Sequence, residues 1–181
     1  LARVGHEVRQ AHPPYRVNDI TAIYQRHTQA AAKEAEASRW RLLERRTRGG
    51  ARIGRLWRRV AKPTDRQANA ALAHTTNWFG DHDVLMVPTL AQPAPLLNAY
   101  DGLGYVQTLA RQTFFAPFAG YWNLPGLPAM SVPAGVRDGL PIGVQFVAPR
   151  GGERLLLAVA AQLEQLRPWA RHAPIAAPPT V

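Results

Sequence analysis

Two apolar runs, Ala129 to Ala134 and Ile142 to Val147, stand on either side of Asp138-Gly139, and no other feature limits the fold as tightly. Each run is too short and too closely bounded by Gly and Pro for a helix, whereas Asp-Gly is a strong turn pair. The runs therefore read as two strands of a hairpin, although residues 135–141 leave room for more than a two-residue turn. Beyond Pro149, Gly151 and Gly152 release the chain. Glu153 then stands where a helix N-terminus favours an anion, and Leu155, Leu156, Val159, Leu163 and Leu166 supply a helical apolar period that Pro168 ends. The tail, 172–181, holds too much Pro for a regular element and is expected to lie along the surface.

Upstream, Val84 to Pro88 is a short continuous apolar run, which fits an interior strand covered on both faces. Asp81 and Asp83 frame a turn before it, and Thr89 to Pro95 forms a Pro-rich exit loop. Residues 64–79 have a helical pattern, with Ala68, Leu72, Thr75 or Thr76 and Phe79 on one side. A weaker helix over 102–115 presents Val106, Leu109, Ala110 and Phe114. The opening residues read as the end of a helix, a stop at Gly5 and a strand near 8–10. Because the chain starts at Leu1 within such an element, it reads as truncated. Strands alternating with helices give an α/β class, a mixed sheet flanked by helices. No 20–50-residue period repeats, which excludes a solenoid. No 18-residue apolar run is present, so no segment reads as a membrane span.

Charge is concentrated. The chain has a formal net charge of +10, and residues 33–66 carry twelve basic groups against four acidic ones. A helical run from about Asp19 leads into this segment through Ile20, Ile23, Tyr24, His27 and Ala31 and continues to Trp40 and Leu43. Gly49 and Gly50 are expected to stop or kink it. A second short element from Arg52 to Val60 places Ile53, Leu56, Trp57 and Val60 on one side, with Arg52, Arg55, Arg58 and Arg59 flanking them. Arginine beside tryptophan suits phosphate contact and base stacking. A solvated helical face whose Arg stems cover inward-packed Trp and Leu explains the same residues. With no accompanying nucleic-acid motif, the second reading is favoured. Gly49, Gly50 and Gly54 also argue against a long amphipathic helix at a membrane surface or partner.

Chemistry is limited by scarcity. The 22 basic groups are 20 Arg and only Lys33 and Lys62, there are two serines, Ser38 and Ser131, and cysteine is absent. Disulfides and thiolate nucleophiles are thereby excluded, and a reducing compartment is permitted. His74, His82, Asp81 and Asp83 lack any metal-binding spacing, and neighbouring residues of an extended backbone point apart. Ser131 lies in the middle of a strand without the strand-to-helix turn that presents a serine nucleophile. The glycines at 120, 126, 135, 139 and 143 form neither a dinucleotide fingerprint nor a P-loop. The Pro- and Gly-dense stretch 117–141 has the rigidity of loops that line pockets.

Read together, residues 115–169 (beginning Phe115-Ala116-Pro117-Phe118 and containing Ser131-Val132-Pro133) resemble the C-terminal region of amidase signature hydrolases. Asp81 to Pro95 resembles that family's preceding strand and Pro-rich loop. Val4-Gly5-His6-Glu7-Val8 followed by His12-Pro13-Pro14-Tyr15 fits the segment just after its catalytic core. The resemblance spans the whole chain and is strongest over 81–169. It implies that residues 1–181 are the C-terminal part of a single larger α/β domain, with 33–66 an Arg-rich helical segment inside it. Family members hydrolyse carboxamides through a Lys, a bridging Ser and a nucleophilic Ser located upstream, in a Gly/Ser-rich region with no counterpart here. No catalytic residue is therefore carried over.

The resemblance implies substrate-pocket positions at Thr89, Phe118, Tyr121, Trp122 and Asn123, with Tyr121 and Trp122 favouring apolar or aromatic amides. It implies structural support from Gly126, Pro128, Ser131, Gly139, Gly143 and Gln145. Pro125 departs from the family pattern, which has a Thr-like residue after the Asn-Leu pair. No cofactor or metal is expected, and the implied partners are a small-molecule amide and the N-terminal catalytic portion. A homodimer is compatible with the reading, nucleic acid is disfavoured, and the implied location is cytoplasmic. The isolated chain is expected to be inactive and poorly stable. Two alternatives stay open: a fragment of a tRNA-dependent amidotransferase, and a noncatalytic binding or scaffold protein using the Arg/Trp-rich segment 39–59.

Overall fold

The structure is a computed structural model that describes residues 1–13, 16, 25, 32–34, 40–60, 65–123 and 126–170. Its elements, in chain order, are α1 (Arg45–Val60), α2 (Asp65–Trp78), β1 (Leu85–Pro88), α3 (Tyr105–Phe115), the single turn α4 (Gly120–Asn123), β2 (Ala129–Arg137), β3 (Leu140–Val147) and α5 (Glu153–Leu166). Short 3-10 turns occupy Ala2–Val4, Trp40–Leu42 and Phe79–Asp81. Most of the expected helix from Asp19 and the whole C-terminal tail lie outside the described residues. Gln25 and residues 32–34 within that span are helical.

The hairpin forms, and it is tighter than the sequence spacing required. Arg137 pairs with Leu140, so the strands run right up to Asp138 and Gly139. Both turn residues have positive φ, 52° and 76°. A two-residue turn of that hand matches the twist of the flanking strands, and it needs residues that tolerate the left-handed region. Arg137 and Leu140 extend the strands beyond the expected ends, while a register shift between Pro133 and Gly135 absorbs one extra residue in β2. Such a bulge accommodates Pro133 inside a strand that would otherwise need its missing N–H.

β3 is central. It pairs antiparallel with β1 on one side and β2 on the other, giving the order β1-β3-β2. Among the described residues all strand pairing is antiparallel, and the α/β class rests on these strands packed between helices. Alternation along the strands divides the core. Val132 and Phe146 face α5, where Leu156 and Val159 join Ala148 in one cluster. Leu85, Val87 and Val147 face the other way and pack with Phe79, Tyr121, Trp122 and Leu127. Each fully buried side chain of this size contributes roughly 1.5–3 kcal/mol relative to exposure.

Four expectations change. Residues 8–10 are not a strand. Among the described residues β1 lies at a sheet edge, and it is covered on one face only, with Leu85 and Val87 buried and Met86 49% exposed. Gly49 and Gly50 do not interrupt the basic segment, because both lie inside α1 and serve as its contact with α3. A Cβ on Gly50 would stand 2.6 Å from Cε2 of Tyr105. α3 therefore docks through Tyr105 and the buried Thr108, leaving Val106 and Phe114 outward with Phe114 73% exposed. The apolar side expected for that helix is its open side.

Candidate substrate-side wall of the sheet

β1 ends at Pro88, and Thr89 continues its direction for one more backbone bond, donating its N–H to the carbonyl of Gly143 at 3.1 Å. On the neighbouring strands Ser131 is opposite Gln145, and Gln145 is opposite Val87. Residues directly opposite in an antiparallel pair share a face. Thr89, Ser131 and Gln145 thus form a polar group on the sheet face that also carries Val87 and Val147.

The Thr89 hydroxyl donates to Oγ of Ser131 at 3.2 Å, joining positions 42 apart in sequence. Gly143 makes this possible, since a Cβ there would lie 2.9 Å from Oγ1 of Thr89. Gly in a strand interior commonly marks such a close approach. Gln145 is buried, whereas Ser131 is exposed. The arrangement can bind and orient a polar group, because two hydroxyls retain acceptor and donor capacity. Among the described residues, the Ser131 hydroxyl accepts from Thr89.

Aromatic residues border this polar group. Tyr121 and Trp122 meet edge to face, with ring centroids 5.0 Å apart at 88°, a favoured aromatic geometry. Both are buried against Val87 and Val147, and Phe118 packs on the same cluster at half burial. Trp122 is core in this chain. Its indole holds α4 onto the sheet, and Leu127 N–H donates to the Trp122 carbonyl at 3.2 Å. Asn123 is the last residue of α4. Pro125 lies outside the described residues. Gly126 follows in a turn with φ 64°, and the Pro128 carbonyl accepts from Ala148 N–H at 3.1 Å. Gly139 lies apart from all of these, at the far tip of the hairpin.

Sequence reasoning named Thr89, Ser131, Gly143 and Gln145 but did not join them. A signal was present: a glycine inside an otherwise apolar strand, opposite a polar position, implies that a neighbour leans across it. The histidines and aspartates tested as metal ligands do not converge, and no group of three or more potential ligands is found among the described residues. The His82 ring instead stacks on Trp78, centroids 4.8 Å apart and nearly parallel. Trp78 in turn donates its indole N–H to the His12 carbonyl at 2.9 Å, tying the first residues to the end of α2.

A family model described as Amidase matches residues 1–157. The chain is 34% identical over 177 residues to "Putative amidase AmiA2" of Mycobacterium tuberculosis, covering 96% of this chain and 37% of that protein. The chain thus spans little more than a third of the length of the curated relatives it matches. The solved structure of 6-aminohexanoate cyclic dimer hydrolase superposes with a TM-score of 0.72 at 29% identity, covering 96% of this chain and 40% of that one. A glutamyl-tRNA(Gln) amidotransferase component from Thermotoga maritima shares the fold at 20% identity, TM-score 0.63, over 93% of this chain and 36% of its own.

Proposed function

The chain belongs to the Amidase family, and from that membership we propose that it is the C-terminal structural and substrate-pocket portion of an enzyme hydrolysing a carboxamide to a carboxylate and ammonia or an amine. In this reading residues 1–181 are part of one larger domain, with 33–66 a helical segment within it. The N-terminal catalytic portion is a separate requirement for activity. Thr89 and Ser131 orient the polar end of the substrate, Gln145 supports them from the sheet, and Phe118 and Asn123 form the adjoining wall, backed from the core by Tyr121 and Trp122. That wall favours apolar or aromatic amides. Gly126, Pro128, Gly139 and Gly143 keep the loops and strands in place. The names of the relatives, an amidase and a hydrolase, support a hydrolytic reaction.

The observation that carries the proposal is the hydroxyl pair. Ser131 is the serine of the organised second half of the chain, and it accepts a hydrogen bond from Thr89 on a strand face. A serine becomes a nucleophile at neutral pH when a base removes its proton. The chain's two lysines, Lys33 and Lys62, fall within the Arg-rich segment and away from the strand face that carries Ser131 in sequence. We therefore expect the isolated chain to be inactive and to work in the cytoplasm as part of a complete enzyme, a homodimer being compatible with that use.

The test is ammonia release from simple aliphatic and aromatic amides by the purified 181-residue chain. The expected rate equals that of buffer. Co-expression with a polypeptide supplying the Lys and Gly/Ser-rich portion is expected to produce turnover that Thr89→Val weakens by roughly tenfold, on the scale of one lost hydrogen bond to a polar group. Turnover by the chain alone, abolished in Ser131→Ala, would overturn the proposal.

A further inference from the structure

α1 carries a surface unrelated to the sheet. Arg45, Arg48, Arg52, Arg55 and Arg59 recur at alternating spacings of three and four, which sets them along one side of this unbroken 16-residue helix. Arg45, Arg52 and Arg59 are exposed. Arg55 is half-buried, its guanidinium carbon 4.5 Å from the centroid of the Trp40 ring, a cation–π contact. Leu56, four residues from Arg52 and three from Arg59, borders these arginines and is 61% exposed. Among the described residues, the ion pair of this helix is Arg46 with Glu44, at 2.6 Å, and it lies off the stripe. The opposite side, with Gly50, Ala51 and Gly54, is buried.

We propose that this side of α1 docks on the surface of an anionic phospholipid bilayer. Lipid phosphates meet Arg45, Arg52 and Arg59, while Leu56 enters the headgroup layer. The sequence argument against such a surface was that Gly49, Gly50 and Gly54 break the helix. They do not, because α1 runs through them and uses Gly50 to seat against Tyr105. Charge complementarity supplies the attraction, with each basic residue near an anionic leaflet raising partitioning about fivefold. A nucleic acid could engage the same arginines. The exposed Leu56 decides between them: an aliphatic side chain amid a basic stripe gains little from phosphates but gains by leaving water for the acyl boundary. This surface is independent of the amidase reading.

The experiment sediments the full 181-residue chain with phosphatidylcholine vesicles and with vesicles that also contain phosphatidylglycerol, alongside binding to poly(U) RNA. Binding to the anionic vesicles alone is expected, weakening as salt rises. Combined Arg45→Gln, Arg52→Gln and Arg59→Gln should lower it roughly 100-fold. Neutralising Arg3, Arg137 and Arg154, the same charge loss elsewhere, should leave it unchanged. Leu56→Gln, a single exposed change that keeps every charge and tolerates a failure of the triple variant to fold, should lower it about tenfold. Absence of binding to anionic vesicles overturns the proposal. So does equal binding by the triple variant and its control, or poly(U) binding that survives Leu56→Gln while vesicle binding does not exist.

Discussion

Gly143 and Thr89 show how much one missing side chain can arrange. The glycine leaves a hollow in β3, the threonine occupies it, and its hydroxyl thereby reaches Ser131. Gly143→Ala places a Cβ 2.9 Å from Oγ1 of Thr89. Threonine is stiff at χ1, so it cannot swing away cheaply. The expected cost is about 1–3 kcal/mol in urea unfolding, within the range for overpacking. In a Thr89→Ala background the same substitution should cost distinctly less, because the colliding hydroxyl is gone. Equal costs in both backgrounds would separate Gly143 from Thr89. Each of these residues was individually noticeable in the sequence. Their convergence was not, since it depends on the β1–β3 register and on a contact between residues 42 apart.

At the scale of elements, α1 is where local and tertiary rules disagree. Helix propensity penalises Gly by about 1 kcal/mol against Ala at each interior position, and on that ground the run should break at Gly49-Gly50. It continues because the absence of Cβ atoms lets α3 approach until Tyr105 touches the α1 backbone. Gly50→Ala should therefore destabilise the chain by about 1–3 kcal/mol despite its better propensity. A rise in the denaturant midpoint would show that the α1–α3 contact is absent. The hairpin is the opposite case. Asp138-Gly139 has the turn chemistry, both φ values are positive, and the strands extend as far as the turn permits. Local and tertiary preference agree there: the sequence indicated the hairpin, and the structure fixed its two-residue turn and its bulge. α5 is likewise legible, since its apolar period and the Leu156 and Val159 that it buries coincide.

For the whole molecule, the open edges dominate. β1 and β2 lie on the outside of a three-stranded sheet, and Met86, Val106 and Phe114 face outward from elements whose other sides are packed. Unpaired strand edges and exposed apolar side chains favour association with further chains. The isolated chain is expected to sediment as concentration-dependent oligomers and to melt over a broad range. A single monomeric species with one sharp, cooperative transition would contradict that expectation. The same open surfaces fit a chain that matches its relatives over 96% of its own length and 37% of theirs.

The two strands joined at Asp138-Gly139, the amphipathic α5, the α2 span and the concentration of arginine in 33–66 follow from the sequence itself, because each depends on periodicity or on neighbouring residues. The scarcity of Ser and Lys is likewise a property of the sequence alone. Only the tertiary structure decided which face of α3 is open, that α1 continues through its glycines, that β1 lies at an edge, and that Thr89 meets Ser131. Those outcomes depend on which distant surfaces come into contact. A chain's local pattern specifies what each element would bury, but the neighbour actually present selects what it does bury.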